Sequence, residues 1–79
     1  MTFGIEVEQE SDGRWVAEVP TLPGVMTYGV TQADAVVRVQ ALALRVLAER
    51  LVHGEAFPEI LTVTFQAAYL VTMRRSVPG

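Results

Sequence analysis

The chain has no cysteine, no lysine, one histidine and one tryptophan. Without Cys there is no disulfide framework, no thiolate metal site and no thiol nucleophile. A lone His is a poor start for acid–base catalysis, which needs a nucleophile and an orienting group beside it. The two serines, Ser11 and Ser76, fall in a turn and in the C-terminal tail. His53 instead sits where a helix ends, a position that favours a residue able to meet the last carbonyls. No apolar run approaches the length of about 18 residues that a membrane span requires. The opening MTFGIEVEQE has neither the basic cluster nor the apolar stretch of a secretory signal. These absences predict a cytoplasmic protein with no catalytic set, no metal and no cofactor.

Positive charge is also scarce. Arg supplies all of it, and the net charge is −3. Residues 1–30 hold Glu6, Glu8, Glu10, Asp12 and Glu18 against Arg14 alone, a balance of −4. Nucleic-acid binding needs a basic face, so direct contact with nucleic acid is not expected. The same imbalance suits a basic protein partner. The plainer alternative is that these acids only solvate one face of a sheet.

What the chain has in abundance is apolar residues, 51% of 79. A chain this short makes one domain and buries only about 60% of its unfolded surface, so its core is thin. The organising stretch is Thr31 to His53, which the pattern predicts as one long helix. Thr31 can cap it, with Asp34 closing a capping box, and Gly54 stands where a left-handed stop belongs. At 1.5 Å per residue it is roughly 33 Å long. At about 100° per residue, Asp34, Arg38, Arg45 and Glu49 share a narrow polar stripe. Their spacing makes Asp34–Arg38 and Arg45–Glu49 i,i+4 pairs, a solvated face and not a site. Apolar residues cover most of the remaining circumference, more than a helix lying on a sheet needs.

The flanking segments read as strands. Phe3, Ile5 and Val7 alternate with Gly4, Glu6 and Glu8. A turn at Glu10-Ser11-Asp12-Gly13 leads to a second strand from Arg14 to Val19, with Trp15, Ala17 and Val19 on its inner face. Trp15 fits the core, although an exposed Trp would serve as an interface anchor. Two prolines make Pro20 to Gly24 a rigid bend before a short third strand, Val25 to Tyr28. After the helix, Leu61, Val63, Phe65 and Ala67 mark a fourth strand, and the same parity continues through Tyr69, Val71 and Met73. The order is βββαβ, an α+β fold: a four-stranded mixed sheet with one long helix on one face. The connection rules place strand four parallel to strand one at the sheet edge. The predicted domain spans residues 1–67, with a strand extension and tail at 68–79.

Several of these pieces resemble one family. The strand-one acids, the run Asp12-Gly13-Arg14-Trp15, the bend Pro20-Thr21-Leu22-Pro23-Gly24, Gly29 and Thr31, and the helix opening Asp34-Ala35 are similar to the HicB-like antitoxin domain. The likeness covers roughly residues 3–67, and the Leu-Pro-Gly bend is its most specific part. The resemblance implies a βββαβ fold that is a reduced relative of the ribonuclease H sheet, and the βββαβ order agrees with the periodicity. It implies a role in silencing a small basic, mRNA-cleaving toxin of the HicA type by occlusion. Candidate partner-binding residues are then Glu6, Glu8, Glu18, Leu22 and Pro23. Thr21 stands where the family's bend often has an acid. About a dozen residues follow strand four, too few for the DNA-binding domain that many members add, so operator binding is not implied. A ribonuclease H-like metal nuclease would need carboxylates converging on two ions, and strand four supplies none. The alternative to an antitoxin is a stand-alone oligomeric scaffold or ligand-binding domain with no toxin.

The surplus of apolar residues predicts a homo-oligomer, a dimer or a dimer of dimers. Leu42, Leu44, Val46 and Leu51, together with Val37, are expected to form a water-facing patch on the helix. Tyr69 and Val71 are expected to join the interface by extending strand four onto another copy.

Overall fold

A computed structural model describes residues 1–54 and 63–69. The elements run β1 (Thr2–Gln9), β2 (Trp15–Glu18), β3 (Met26–Gly29), α1 (Gln32–Val52) and β4 (Thr64–Tyr69). They form one four-stranded sheet in the order β3-β2-β1-β4, with α1 across one face. β1 and β2, and β2 and β3, pair antiparallel; β4 lies parallel to β1 at the edge. This is the expected βββαβ arrangement.

Alternation decides which face each strand buries. In β1, Phe3, Ile5 and Val7 are buried while Thr2, Gly4 and Glu6 are exposed. Ala17 and Val19 follow from the second strand and Val25 from the entry to the third. Trp15 is half-buried and packs against this core. The β1–β2 turn closes as its residues require. The Gly13 N–H donates to the Glu10 carbonyl at 3.0 Å, and Gly13 takes a left-handed φ of 93°.

The proline-rich bend is tied at both ends. The Leu22 N–H donates to Val19 O at 3.0 Å, and the Val25 N–H to Leu22 O at 3.1 Å. Gly24 makes the reversal at φ 81°, a conformation that Gly adopts with little penalty. Gly29, at the other end of β3, is there for a different reason. A Cβ built on it would lie 2.5 Å from Ala35 N and 2.9 Å from Ala35 Cα, so the helix backbone sits directly on it. Thr27 Oγ1 also donates to Ala35 O at 3.1 Å, fastening β3 to the first helical turn.

Thr31 is the N-cap, its Oγ1 accepting the Asp34 N–H at 3.0 Å. Asp34 differs from a capping box. Its Oδ2 accepts the N–H of Val30, one residue before the cap, at 3.2 Å. At the far end the His53 N–H donates to Glu49 O, and Gly54 turns left-handed at φ 75°. Ala35, Val39, Ala43 and Leu47 point down into the sheet and are buried.

In the described residues β4 runs Thr64–Tyr69, so Val63 precedes it and Tyr69, which continues the strand's parity, lies within it. Its first rung pairs Thr2 with Thr64, and Val7 pairs with Tyr69 at the other end. The Thr64 N–H donates to Met1 O at 2.9 Å, and the Phe3 and Phe65 rings lie 5.9 Å apart. Parity cannot show where pairing starts; the register with β1 sets it. Ala68 and Tyr69 therefore belong to the chain's own sheet. Leu61 and the residues from 70 onward, Val71 and Met73 included, lie outside the described residues.

Gly29→Ala is expected to destabilise the fold by about 1–3 kcal/mol, because the clash is with backbone. Gly4→Ala, where an added methyl meets nothing within 4 Å, is expected to change stability by less than about 0.5 kcal/mol. Ala17→Glu puts an unpaired carboxylate at a fully buried position and is expected to cost several kcal/mol or abolish folding. Thermal melts of the three variants test the assigned faces.

Candidate functional site

The face of the sheet turned away from α1 carries the chain's acidity. Glu6 and Glu18 are direct cross-strand partners, and Glu18 faces Met26 on its other side. In the next row Val16 lies between Glu8 and Tyr28. Together with Glu10 these residues line a shallow groove of about 200 Å³. Met26 and Tyr28 of β3 and Val16 of β2 line one side of it, and Glu6, Glu8 and Glu10 the β1 side, with Glu18 between Met26 and Glu6. Met26 and Tyr28 are 47% and 41% exposed, so this apolar side is open to a partner.

The cation at this face is already occupied. The Arg14 guanidinium carbon stands 4.4 Å from the Tyr28 ring centroid, a cation–π distance. Its Nε donates to Asp12 Oδ2 at 2.8 Å. Arg14 therefore bounds the groove without neutralising it. Glu6 and Glu18 meanwhile stand directly opposite each other, and like charges so placed destabilise a sheet. Solvating a face does not require that juxtaposition, since Ser or Thr would serve. An incoming cation would relieve it.

The sequence reading selected Glu6, Glu8 and Glu18, and the fold brings all three to this groove. It did not select Met26, Tyr28 and Glu10. Met26 and Tyr28 share a parity on the third strand, but only the β2–β3 register shows that they lie beside Glu18 and Val16. Of the bend residues, Pro23 is exposed, whereas Leu22 is 4% exposed and part of the core. The Pro-rich bend folds inward at Leu22, so in this conformation it offers a partner Pro23 but not Leu22.

The helix residues divide in the same way. Leu44 and Leu51 are 50% and 47% exposed. Leu42 and Val46 are half-buried and pack against the core, because they lie beside Val39 on the sheet side of the helix. β4 reaches Tyr69, and Val71 lies outside the described residues. His53 Nε2 lies 3.3 Å from Glu49 Oε2, so Glu49 pairs with His53 in place of the expected Arg45. Among the described residues no three of His, Asp and Glu come together as a metal ion would require, and no helix is long and apolar enough to cross a membrane.

The chain is 34% identical over 59 residues to a UPF0150 protein of Thermoplasma acidophilum, a match covering 73% of this chain and 84% of that relative. No family profile matches the chain, and no solved structure does.

Asp12 holds the end of the acidic face. The Arg14 backbone N–H donates to its Oδ1 at 3.0 Å and keeps its carboxyl below the ordinary 3.8, with the Arg14 side chain as a smaller cause. A carboxyl lowered in the folded state stabilises the fold above its unfolded pKa, and that contribution is lost as pH falls through the folded value. An NMR titration of Asp12 is expected to give a midpoint under 3.8. Arg14→Ala should recover only part of the shift, because the backbone donor remains.

Proposed function

The chain belongs to the UPF0150 family, and from that premise we propose that it is a non-enzymatic protein-binding module. It acts as the antitoxin of a HicA/HicB-type pair and occludes the RNA-cutting face of a small basic toxin. The observation that carries this reading is the groove on the outer sheet face. Four carboxylates lie beside an apolar side made of Val16, Met26 and Tyr28, and two of them, Glu6 and Glu18, are direct cross-strand partners, a placement of like charges that disfavours the free sheet. Arg or Lys side chains of a partner would lie between them, and their aliphatic stems would cover Val16, Met26 and Tyr28. A toxin that binds RNA needs a basic surface, so the face that cuts RNA is also the face that would dock here. The sequence likeness to HicB-like antitoxins supports the same partner. The alternative, a stand-alone oligomeric scaffold, draws its support from the exposed apolar residues of α1.

Glu18→Lys separates a binding face from a merely solvated one. The substitution replaces a like-charge pair with an opposite-charge pair, and should raise the stability of the free protein by a few tenths of a kcal/mol. It should also weaken binding of the basic partner at least tenfold, as should Glu6→Lys. The measurement is co-expression and titration with the product of a neighbouring small basic reading frame, at two salt concentrations. Binding should fall as salt rises. If no such product binds, or if Glu18→Lys binds as tightly as the native chain, the antitoxin reading fails.

A further inference from the structure

Among the described residues β3 is an open edge of the sheet, since the strand order is β3-β2-β1-β4. The ladder shows which of its backbone groups face outward. The Val19 N–H donates to Val25 O, and these two residues extend the β2–β3 register by one pair, so the pair is a hydrogen-bonded one. Pairs of that kind alternate along antiparallel strands. Thr27 and Gly29 therefore also bond to β2, and Met26 and Tyr28 turn their N–H and C=O groups away from the sheet. Val30 is the next outward position, and its N–H is taken: Asp34 Oδ2 accepts it at 3.2 Å. Arg38 holds the same carboxylate, with its Nε 3.1 Å from both oxygens. At this point of the edge a carboxylate is thus held by a strand N–H on one side and a helix arginine on the other.

Further along the edge the setting repeats. A groove of about 460 Å³ runs between β3 and α1, with Met26, Thr27 and Tyr28 on its strand side and Arg38, Leu42 and Arg45 on its helix side. Arg38 keeps its contact with Asp34, but Arg45 is exposed and has no acidic partner among the described residues. A second hollow, which shares Tyr28 and Arg38 with the first, adds Arg14 at the other end. Half of the chain's six arginines therefore line one seam beside a single acid, Asp34, in a protein whose net charge is −3.

We propose that this seam takes an extended acidic segment of a partner protein as a further strand on β3, with carboxylates at alternate residues. The segment's carbonyls accept the outward Met26 and Tyr28 N–H groups, and its own N–H groups donate to their carbonyls. Side chains alternate across a strand. Those level with Thr27 fall on the helix side of the sheet, where Arg45 meets the incoming carboxylate. Those level with Met26 and Tyr28 fall on the outer face beside these two side chains, a setting that suits β-branched apolar residues. Charge selects the occupant: the arginines repel a basic segment, and a wholly apolar one leaves Arg45 unanswered. Asp34 displays the same recognition within the chain itself.

This inference does not rest on the antitoxin reading, and Arg45 lines no part of the acidic groove, so the two fail separately. Its test is amide exchange by NMR on the full chain. In the free protein the Met26 and Tyr28 amides should exchange at least about tenfold faster than those of Thr27 and Gly29. Millimolar capped peptide of alternating glutamate and valine should slow the first two and leave the second two as they were. The lysine–valine counterpart should not protect them. N-methylation of the peptide's valine amides or of its glutamate amides should abolish protection in one case and spare it in the other, because alternate amides of an added strand face β3. Arg45→Glu should keep native circular dichroism and weaken the glutamate peptide about fivefold or more, since an attraction becomes a repulsion. Met26 and Tyr28 amides already protected in the free chain overturn the proposal and mark the edge as covered by the chain's own tail or by another copy. It also falls if the glutamate peptide gives no protection, if the lysine peptide protects equally, or if neither methylated form loses protection. Undiminished binding by Arg45→Glu overturns it too, and leaves the arginines only as guards of an edge strand.

Discussion

The backbone of Gly29 lies so close to the first turn of α1 that a methyl group there would sit 2.5 Å from the Ala35 nitrogen. The rest of the helix is placed by that approach. Val30 and Thr31 are all that separate β3 from the first helical residue, so the chain has little freedom at this corner. Thr27 Oγ1 holds the Ala35 carbonyl, Asp34 holds the Val30 N–H, and Thr31 caps the Asp34 N–H. These contacts fix how far the helix is rolled about its axis. With Ala35 pressed onto the sheet, helical periodicity sends Val39, Ala43 and Leu47 down after it. The same roll sends Val37, Leu44 and Leu51 away from the sheet. Small residues at 35 and 43 bring the helix close to the sheet over their part of its length. The packing distance and the roll are therefore consequences of one junction.

The thinness of the core shapes the other two surfaces. A chain of this length with one helix on one side of a sheet can bury only part of its apolar surface. The buried set is consistent with that: one layer of side chains from β1, β2 and the bend, and one row from α1. Polar residues at the remaining positions would have been compatible with this core. The outer sheet face instead combines carboxylates with Met26 and Tyr28, and the outer helix face exposes Val37, Leu44 and Leu51. Neither composition is required by the fold. Each costs something in the free protein, through like-charge opposition on one face and apolar exposure on the other.

Much of this was legible in the sequence, and the exceptions share a cause. The alternation of Phe3, Ile5 and Val7, the run from Thr31 to His53 and the glycines at 13, 24 and 54 are local signals, and each predicts its element directly. Four features needed a neighbour that sequence distance does not reveal. Gly29 is required by the approach of Ala35, not by a left-handed φ. Leu22 belongs to the core although prolines on both sides mark its segment as a surface bend. Leu42 and Val46 can be assigned to the inner side of the helix only when the direction of the sheet is known. β4 starts at Thr64 because β1 offers its first partner at Thr2. At the groove, the acids stood out by charge alone. Met26, Tyr28 and Glu10 became part of it through register.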